Sequence, residues 1–129
     1  MQIVAYEIRE SADFSARFER LTKKKRFFTL PDQIEEATTA FMKGEFEGDL
    51  IRHSDFPVPH DVYKLRLPNP DANTGKSGGY RVLYMVATKK RLVFFMTIYY
   101  KKEEADLPDR YIEGLIDGCL LEMLPDNED

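Results

Sequence analysis

Apolar residues follow two different periods along this 129-residue chain, and the change of period divides it. Gln2 to Ile8 alternates well enough for a first strand. Phe14, Phe18 and Leu21 then stand at i, i+4 and i+7, the spacing of one helix face, and Ser11 or Asp13 can cap its start. That helix runs into the basic stretch Lys23–Arg26, which suits a helix C-terminus, where cations meet the negative end of the dipole. Pro31 and Asp32 open a second helix with Ile34, Ala37, Thr38 and Phe41 along its buried stripe and Gly44 near its stop. Residues 45–60 contain Gly48, Pro57 and Pro59 and read as an irregular connection.

The period then shortens to two. Strands are predicted over 61–67, 79–87 and 91–100, the last two joined by a short turn at Thr88–Lys90. In the last strand Phe94 and Met96 point one way and Val93 and Phe95 the other, so it should lie inside the sheet, covered on both faces. Pro108 begins a final helix with Ile112, Leu115, Ile116, Cys119, Leu120 and Met123 on its inner side. Pro125 and the acids after it form an expected mobile tail over 125–129. The expectation is an α+β fold in the order βααβββα, a mainly antiparallel sheet packed against helices, within a single domain over residues 1–129.

Composition narrows the class. With 43% hydrophobic and 33% charged residues the chain is neither disordered nor fibrous. Its longest apolar run, Leu92 to Tyr100, is nine residues, too short to span a membrane. The opening Met-Gln-Ile-Val-Ala-Tyr-Glu has neither the basic end nor the apolar stretch of a secretory leader. Cys119 is the sole cysteine, so no internal disulfide forms and a reducing, cytoplasmic location is expected. On the apolar side of a helix it reads as core, not as a nucleophile.

The net charge of −4 conceals a strong division. Residues 1–59 carry −2, residues 60–102 carry +7, and residues 103–129 carry −9. Grip on an anion depends on local potential, so the basic middle points to an anionic partner despite the acidic total. Lys89, Lys90 and Arg91 read as a solvated turn. Lys64, Arg66 and Arg81 do not, because they lie within strands. Side chains alternate along a strand, which puts Lys64 and Arg66 on one face and Tyr63, Leu65 and Leu67 on the other. If Tyr80, Val82 and Tyr84 share the second of these faces beneath the helices, Arg81 joins the two cations on the first. The acidic segment beside this basic one is expected to shield it in the free protein.

Two alternatives fall away. Gly75-Lys76-Ser77 resembles the end of a phosphate-binding P-loop, but Pro70 stands where that pattern needs glycine, and a strand follows where it needs a helix. Gly78 and Gly79 instead shape a turn or let backbones approach closely. No cluster has metal-ligand spacing, and neither a metal nor a small-molecule cofactor is expected. His60 borders the first basic strand and titrates near neutrality, which makes it a possible acid or base, although a lone histidine beside Pro59 is more often an ordinary loop residue. His53 has the weaker claim.

Lys64-Leu65-Arg66-Leu67, then Gly75-Lys76-Ser77-Gly78-Gly79-Tyr80-Arg81-Val82-Leu83-Tyr84, then Phe95-Met96-Thr97-Ile98-Tyr99-Tyr100-Lys101-Lys102 resembles the RelE/HigB-like toxins of bacterial type II toxin–antitoxin modules. The likeness is specific over residues 61–107 and looser elsewhere. It implies a metal-independent endoribonuclease that cleaves messenger RNA, usually in the translating ribosome, and a small cognate antitoxin that covers the basic surface. By resemblance, Lys64 and Arg66 correspond to the pair assigned to base and charge stabilisation, and Arg81 to the phosphate-stabilising arginine. Lys102 or Lys101 falls where the family often has a general acid or phosphate ligand; Lys76, Ser77 and Lys101 would contact RNA. The family's C-terminal tyrosine has no in-register equivalent, with Tyr100 and Tyr111 as weak substitutes, and a lysine replaces its arginine acid. Two other readings of the same fold are a ParE-like toxin that binds a gyrase and a non-catalytic member that binds only its partner.

Overall fold

The computed structural model describes residues 5–51 and 60–123. Gln2, His53, Pro57, Pro59 and the acidic tail 125–129 lie outside the described residues. Five strands, β1 (Glu7–Glu10), β2 (Asp49–Leu50), β3 (Asp61–Leu67), β4 (Tyr80–Ala87) and β5 (Leu92–Tyr100), form one sheet in the order β1-β5-β4-β3-β2. β1 runs parallel to β5 and every other pair is antiparallel. The helices are α1 (Ala12–Glu19), α2 (Leu30–Met42) and α3 (Asp109–Met123). The α+β class and the mainly antiparallel sheet hold as expected.

The element order needs one correction, because β2 makes it βααββββα. A two-residue strand leaves no period to read. It is seated by Gly48, whose φ of +122° is a left-handed conformation, and where a Cβ would fall 2.6 Å from the Lys64 carbonyl oxygen. Among the described residues the first strand begins at Glu7, where parallel pairing with Leu92 of β5 begins, and it runs on to Glu10. Tyr6, just before it, packs into the core, and its N–H donates to the Met42 carbonyl at the end of α2.

Ser11 caps α1, its Oγ accepting from the Phe14 N–H at 3.0 Å while its hydroxyl donates to the Met96 carbonyl. One serine therefore both starts the helix and fastens it to β5. Phe14 stacks between Phe18 and Phe95, and Phe41 of α2 lies on Tyr84 with ring centroids 4.3 Å apart. With Leu21, Leu30 and Ile34 these side chains cover Leu65, Tyr80, Val82 and Ile98 on one sheet face. α3 covers the other face, but only toward one end, by laying Ile112, Ile116, Cys119 and Met123 on Leu83, Met85 and Phe94. Burial pushes the Cys119 thiol up to about 12, so it packs as a small apolar group and forms little thiolate.

The start of α3 is held by polar contacts instead. The Tyr111 hydroxyl bonds to Asp13 of α1, and Arg17 lies over the Tyr111 ring at 5.5 Å. Beyond this junction no helix among the described residues covers the second sheet face, and the basic strand residues emerge there.

Candidate functional site: the cationic end of the sheet

Register brings the three strand cations to one face, as the alternation of apolar residues predicted. Arg66 is the direct cross-strand partner of Arg81, and Arg81 that of Tyr99, forming one row across β3, β4 and β5. Lys64, Leu83 and Thr97 form the next row. Opposed strands lie about 4.8 Å apart and diagonal neighbours about 7–8 Å apart, so the backbone positions of Lys64, Arg66 and Arg81 are neighbours on this face.

The three cations are not equivalent. Arg66 is exposed and meets Asp49 of β2 at 3.2 Å. Lys64 is half-buried. Arg81 is only 3% exposed, and its guanidinium donates to the carbonyls of Lys76 at 2.7 Å, Ser77 at 2.9 Å and Tyr80 at 3.1 Å. Three carbonyls hold its geometry, and no carboxylate among the described residues neutralises its charge. Arg81 therefore shapes the loop before β4 while its positive field reaches the open face.

That loop is as tight as its sequence suggested. A Cβ on Gly79 would sit 2.1 Å from the Leu67 carbonyl oxygen and 3.0 Å from Pro68 Cα. The Gly79 carbonyl in turn accepts from the Lys101 N–H at 2.8 Å. Lys76 and Ser77 stand exposed on the loop, and the stem of Lys102 passes close to Gly78. Lys76 and Lys102 make no side-chain hydrogen bond or ion pair among the described residues, so both are open to a ligand.

Lys101 is engaged with Asp106, its ammonium 3.2 Å from one carboxylate oxygen while the Tyr99 hydroxyl donates to the other at 2.9 Å. Desolvation alone would raise the Asp106 pKa. Hydrogen bonds from Tyr99 and Lys101, with the fields of Lys64 and Lys101, outweigh it and hold the carboxyl below its ordinary 3.8. Burial, reinforced by the bond to Asp106, raises the Tyr99 pKa, so its phenol remains a donor at neutral pH. Of the acidic segment, Asp106 meets the basic segment 60–102, at Lys101, while Glu103 and Glu104 turn to cations of α1 and the turn after it. Glu103 pairs with Arg20 and Lys25, Glu104 with Arg17, and Asp106 with Lys101.

Tyr99 was not among the residues singled out from sequence. Tyr100 and Tyr111 were: Tyr100 does not reach this face, and Tyr111 borders it only at the Thr97 end, where the Thr97 and Tyr111 hydroxyls both bond to Asp13. Tyr100 lies on the opposite face, 7% exposed and hydrogen-bonded to Thr74, and Tyr111 is at the α1–α3 junction. A bulge opposite Leu83 and Tyr84 explains the exchange. It inserts Met96 as an unpaired residue, so the alternation set by Phe94 shifts by one and Tyr99 lands beside Arg81. His60 lies at the other end of β3, about 20 Å from Arg66 at the rise of a strand. Its pKa is lowered by burial and by Lys90, with Asp61 opposing. Among the described residues no group of three or more His, Cys, Asp or Glu could hold a metal ion. No helix among them is long and apolar enough to cross a membrane.

No family model and no curated protein matches the chain. Solved structures do. A mutant of the E. coli toxin RelE in the free state superposes at a TM-score of 0.52 with 21% identity, covering 84% of this chain and 93% of that one. The isolated E. coli RelE toxin gives 0.49 at 22% identity over 86% and 96% of the two chains. The RelE mutant in complex with a peptide of its antitoxin gives 0.44 at 19% identity over 85% and 94%. At such identity the likeness is one of architecture, and the first superposition suffices for it: this chain has a RelE-like fold.

Proposed function

We propose that this protein is the toxin of a toxin–antitoxin pair and acts as a metal-independent endoribonuclease on messenger RNA, in the cytoplasm and at the ribosome. The observation that carries the proposal is that Lys64, Arg66 and Arg81 share one sheet face, at an end that no helix among the described residues covers. In the reaction the ribose 2′-oxygen attacks the adjacent phosphorus and the bond to the 5′-oxygen breaks. The products are a 2′,3′-cyclic phosphate and a 5′-hydroxyl, which takes up a proton. Lys64 faces the attacking oxygen as base, and Arg66 contacts the phosphate, where negative charge grows in the transition state. Arg81 holds the loop carrying Lys76 and Ser77 and adds its field to the same phosphate. Lys102, unpaired on the rim, is the donor to the departing oxygen, and Lys101 joins it as an RNA contact once released from Asp106. An antitoxin would neutralise this face by covering it.

Inducing the wild type in bacteria should arrest growth and create new messenger RNA ends. Lys64→Ala/Arg66→Ala should reduce the yield of those ends by about a hundredfold or more. Equal arrest from both proteins with no new ends would reject the ribonuclease and favour gyrase binding or another binding role. Asp106→Asn removes a competing anion from Lys101 and Lys64, so RNA affinity at low salt should rise about threefold, the size of a partly exposed ion pair. The same carboxylate sets a pH dependence. Because folding lowers its pKa, its stabilising contacts are complete above the ordinary value of 3.8 and are lost as pH falls through the lower folded value.

A further inference from the structure

The basic stretch after α1 is only partly a solvated helix end. The helix continues as a wider π turn over Arg20–Lys24, where Lys23 pairs with Glu19, and Lys25 beyond it reaches Glu103. Lys24 and Arg26 are exposed, and their side chains make no hydrogen bond or ion pair among the described residues. Arg26 also has φ +60°, a left-handed conformation in which glycine or asparagine is far easier to hold. The conformation closes the π turn, with the Phe27 N–H donating to the Leu21 carbonyl at 3.2 Å, and it leaves the Arg26 side chain in solvent.

The left-handed turn has a consequence for the two aromatic residues after it. Phe27 turns inward, its ring centroid 5.4 Å from Tyr100 and 6.1 Å from Tyr80. Phe28 turns outward and is 70% exposed, more than any other large hydrophobic side chain among the described residues. Its position is fixed on both sides. Phe27 is packed before it, and after it both the Thr29 N–H and the Thr29 hydroxyl donate to the Asp71 carboxylate, at 2.8 and 2.9 Å. Asp71 belongs to the β3–β4 connection that carries Lys76, and Tyr100 directly precedes Lys101 and Lys102. The Phe28 loop and the free cations of the catalytic rim are therefore built on the same end of the sheet.

We infer that Phe28, in the same turn as Lys24 and Arg26, is a base-stacking platform for single-stranded RNA that passes round this end of the sheet from the cationic face to the helix-covered side. An exposed planar ring in one turn with unpaired cations suits a flexible polyanion: the ring takes a base face and the cations take nearby phosphates. An apolar protein partner would not call for two unpaired cations in the turn that carries the ring. The inference rests on the ribonuclease reading of the sheet, and the two are separable by experiment.

The test is fluorescence anisotropy with a labelled 2′-O-methyl oligonucleotide of about twelve nucleotides, a probe whose blocked 2′-oxygen prevents cleavage. Phe28→Ala should weaken binding about tenfold, and Phe28→Tyr, which keeps the ring, should restore it. Lys24→Ala/Arg26→Ala should reduce the salt slope of the affinity by about one to two. Lys64→Ala/Arg66→Ala should weaken binding separately. The thermal midpoint of Phe28→Ala should stay at the wild-type value, because its side chain is largely in solvent. RNA affinity of Phe28→Ala equal to wild type, with Lys64→Ala/Arg66→Ala still impaired, would overturn the platform, leave the sheet site standing, and assign Phe28 to a protein partner. Wild-type affinity in every variant would overturn both.

Discussion

Replacing Arg81 with alanine should lower the unfolding free energy by about 3 kcal/mol, a larger loss than at either of its exposed neighbours. The guanidinium is 3% exposed and serves the carbonyls of Lys76, Ser77 and Tyr80. Its removal strands those carbonyls and opens a gap at the base of the loop. Arg81→Lys should recover less than half of the loss. An ammonium is a point donor and cannot reach both the Lys76 and Ser77 carbonyls along two fixed directions, as the planar fork does. Urea unfolding measures the stability, and amide hydrogen exchange at Ser77 and Gly78 should accelerate in parallel. An unchanged urea midpoint for Arg81→Ala would mean that the guanidinium contributes nothing to the loop and is available to a ligand. In the ribonuclease reading both variants also lose cleavage, but Arg81→Ala does so partly through disorder of Lys76 and Ser77.

The second large effect is expected at Gly79. An alanine methyl there would meet the Leu67 and Gly75 carbonyl oxygens at 2.1 and 2.9 Å and Pro68 Cα at 3.0 Å, all of them backbone. No side chain can rotate to relieve this, so β3 and β4 must separate where Leu67 pairs with Tyr80. The cost should be about 3 kcal/mol or more, read as a lowered urea midpoint or as loss of soluble protein. Gly78→Ala is the control. Its methyl would meet Thr74 Cγ2 at 3.0 Å and the Lys102 stem at 3.4 Å, side-chain atoms that can give way, so the change should stay below about 1 kcal/mol. Comparable losses at both glycines would show that the loop tolerates no added volume anywhere, and the close backbone approach at Gly79 would lose its special weight.

Both effects come from one loop, which links the stability of the sheet end to the chemistry proposed for it. Lys76, Ser77 and Lys102 are exposed, yet the backbone beneath two of them depends on a buried arginine and a glycine that only a bare Cα can replace. Substitutions at Arg81 and Gly79 should therefore change activity and stability together. Those at Lys64, Arg66 and Phe28 should change activity alone.

The sheet face was legible early because alternation is a local property. Once Tyr63, Leu65 and Leu67 are assigned to the core, Lys64 and Arg66 must emerge on the other side, and the matching pattern of Tyr80, Val82 and Tyr84 places Arg81 with them. The starts of the helices were legible for the same reason, since Ser11 caps residues immediately after itself and Pro31 fits the first turn that follows it. Period and capping chemistry in the sequence were enough for the class and the three long strands, while the shared cationic face followed only on a condition of register that the pairing of β3 with β4 meets. The tertiary structure alone decided which tyrosine joins that face, how Arg81 is used and where Phe28 stands. Each of these depends on partners far apart in the chain. The bulge exists only in the pairing of β5 with β4, the exposure of Phe28 depends on Phe27 meeting Tyr100, and β2 exists only because Gly48 lets the backbone approach Lys64. The cluster of strand cations was visible as charge in the sequence, but the fold divides it into an exposed Arg66, a half-buried Lys64 and a buried arginine that holds the loop.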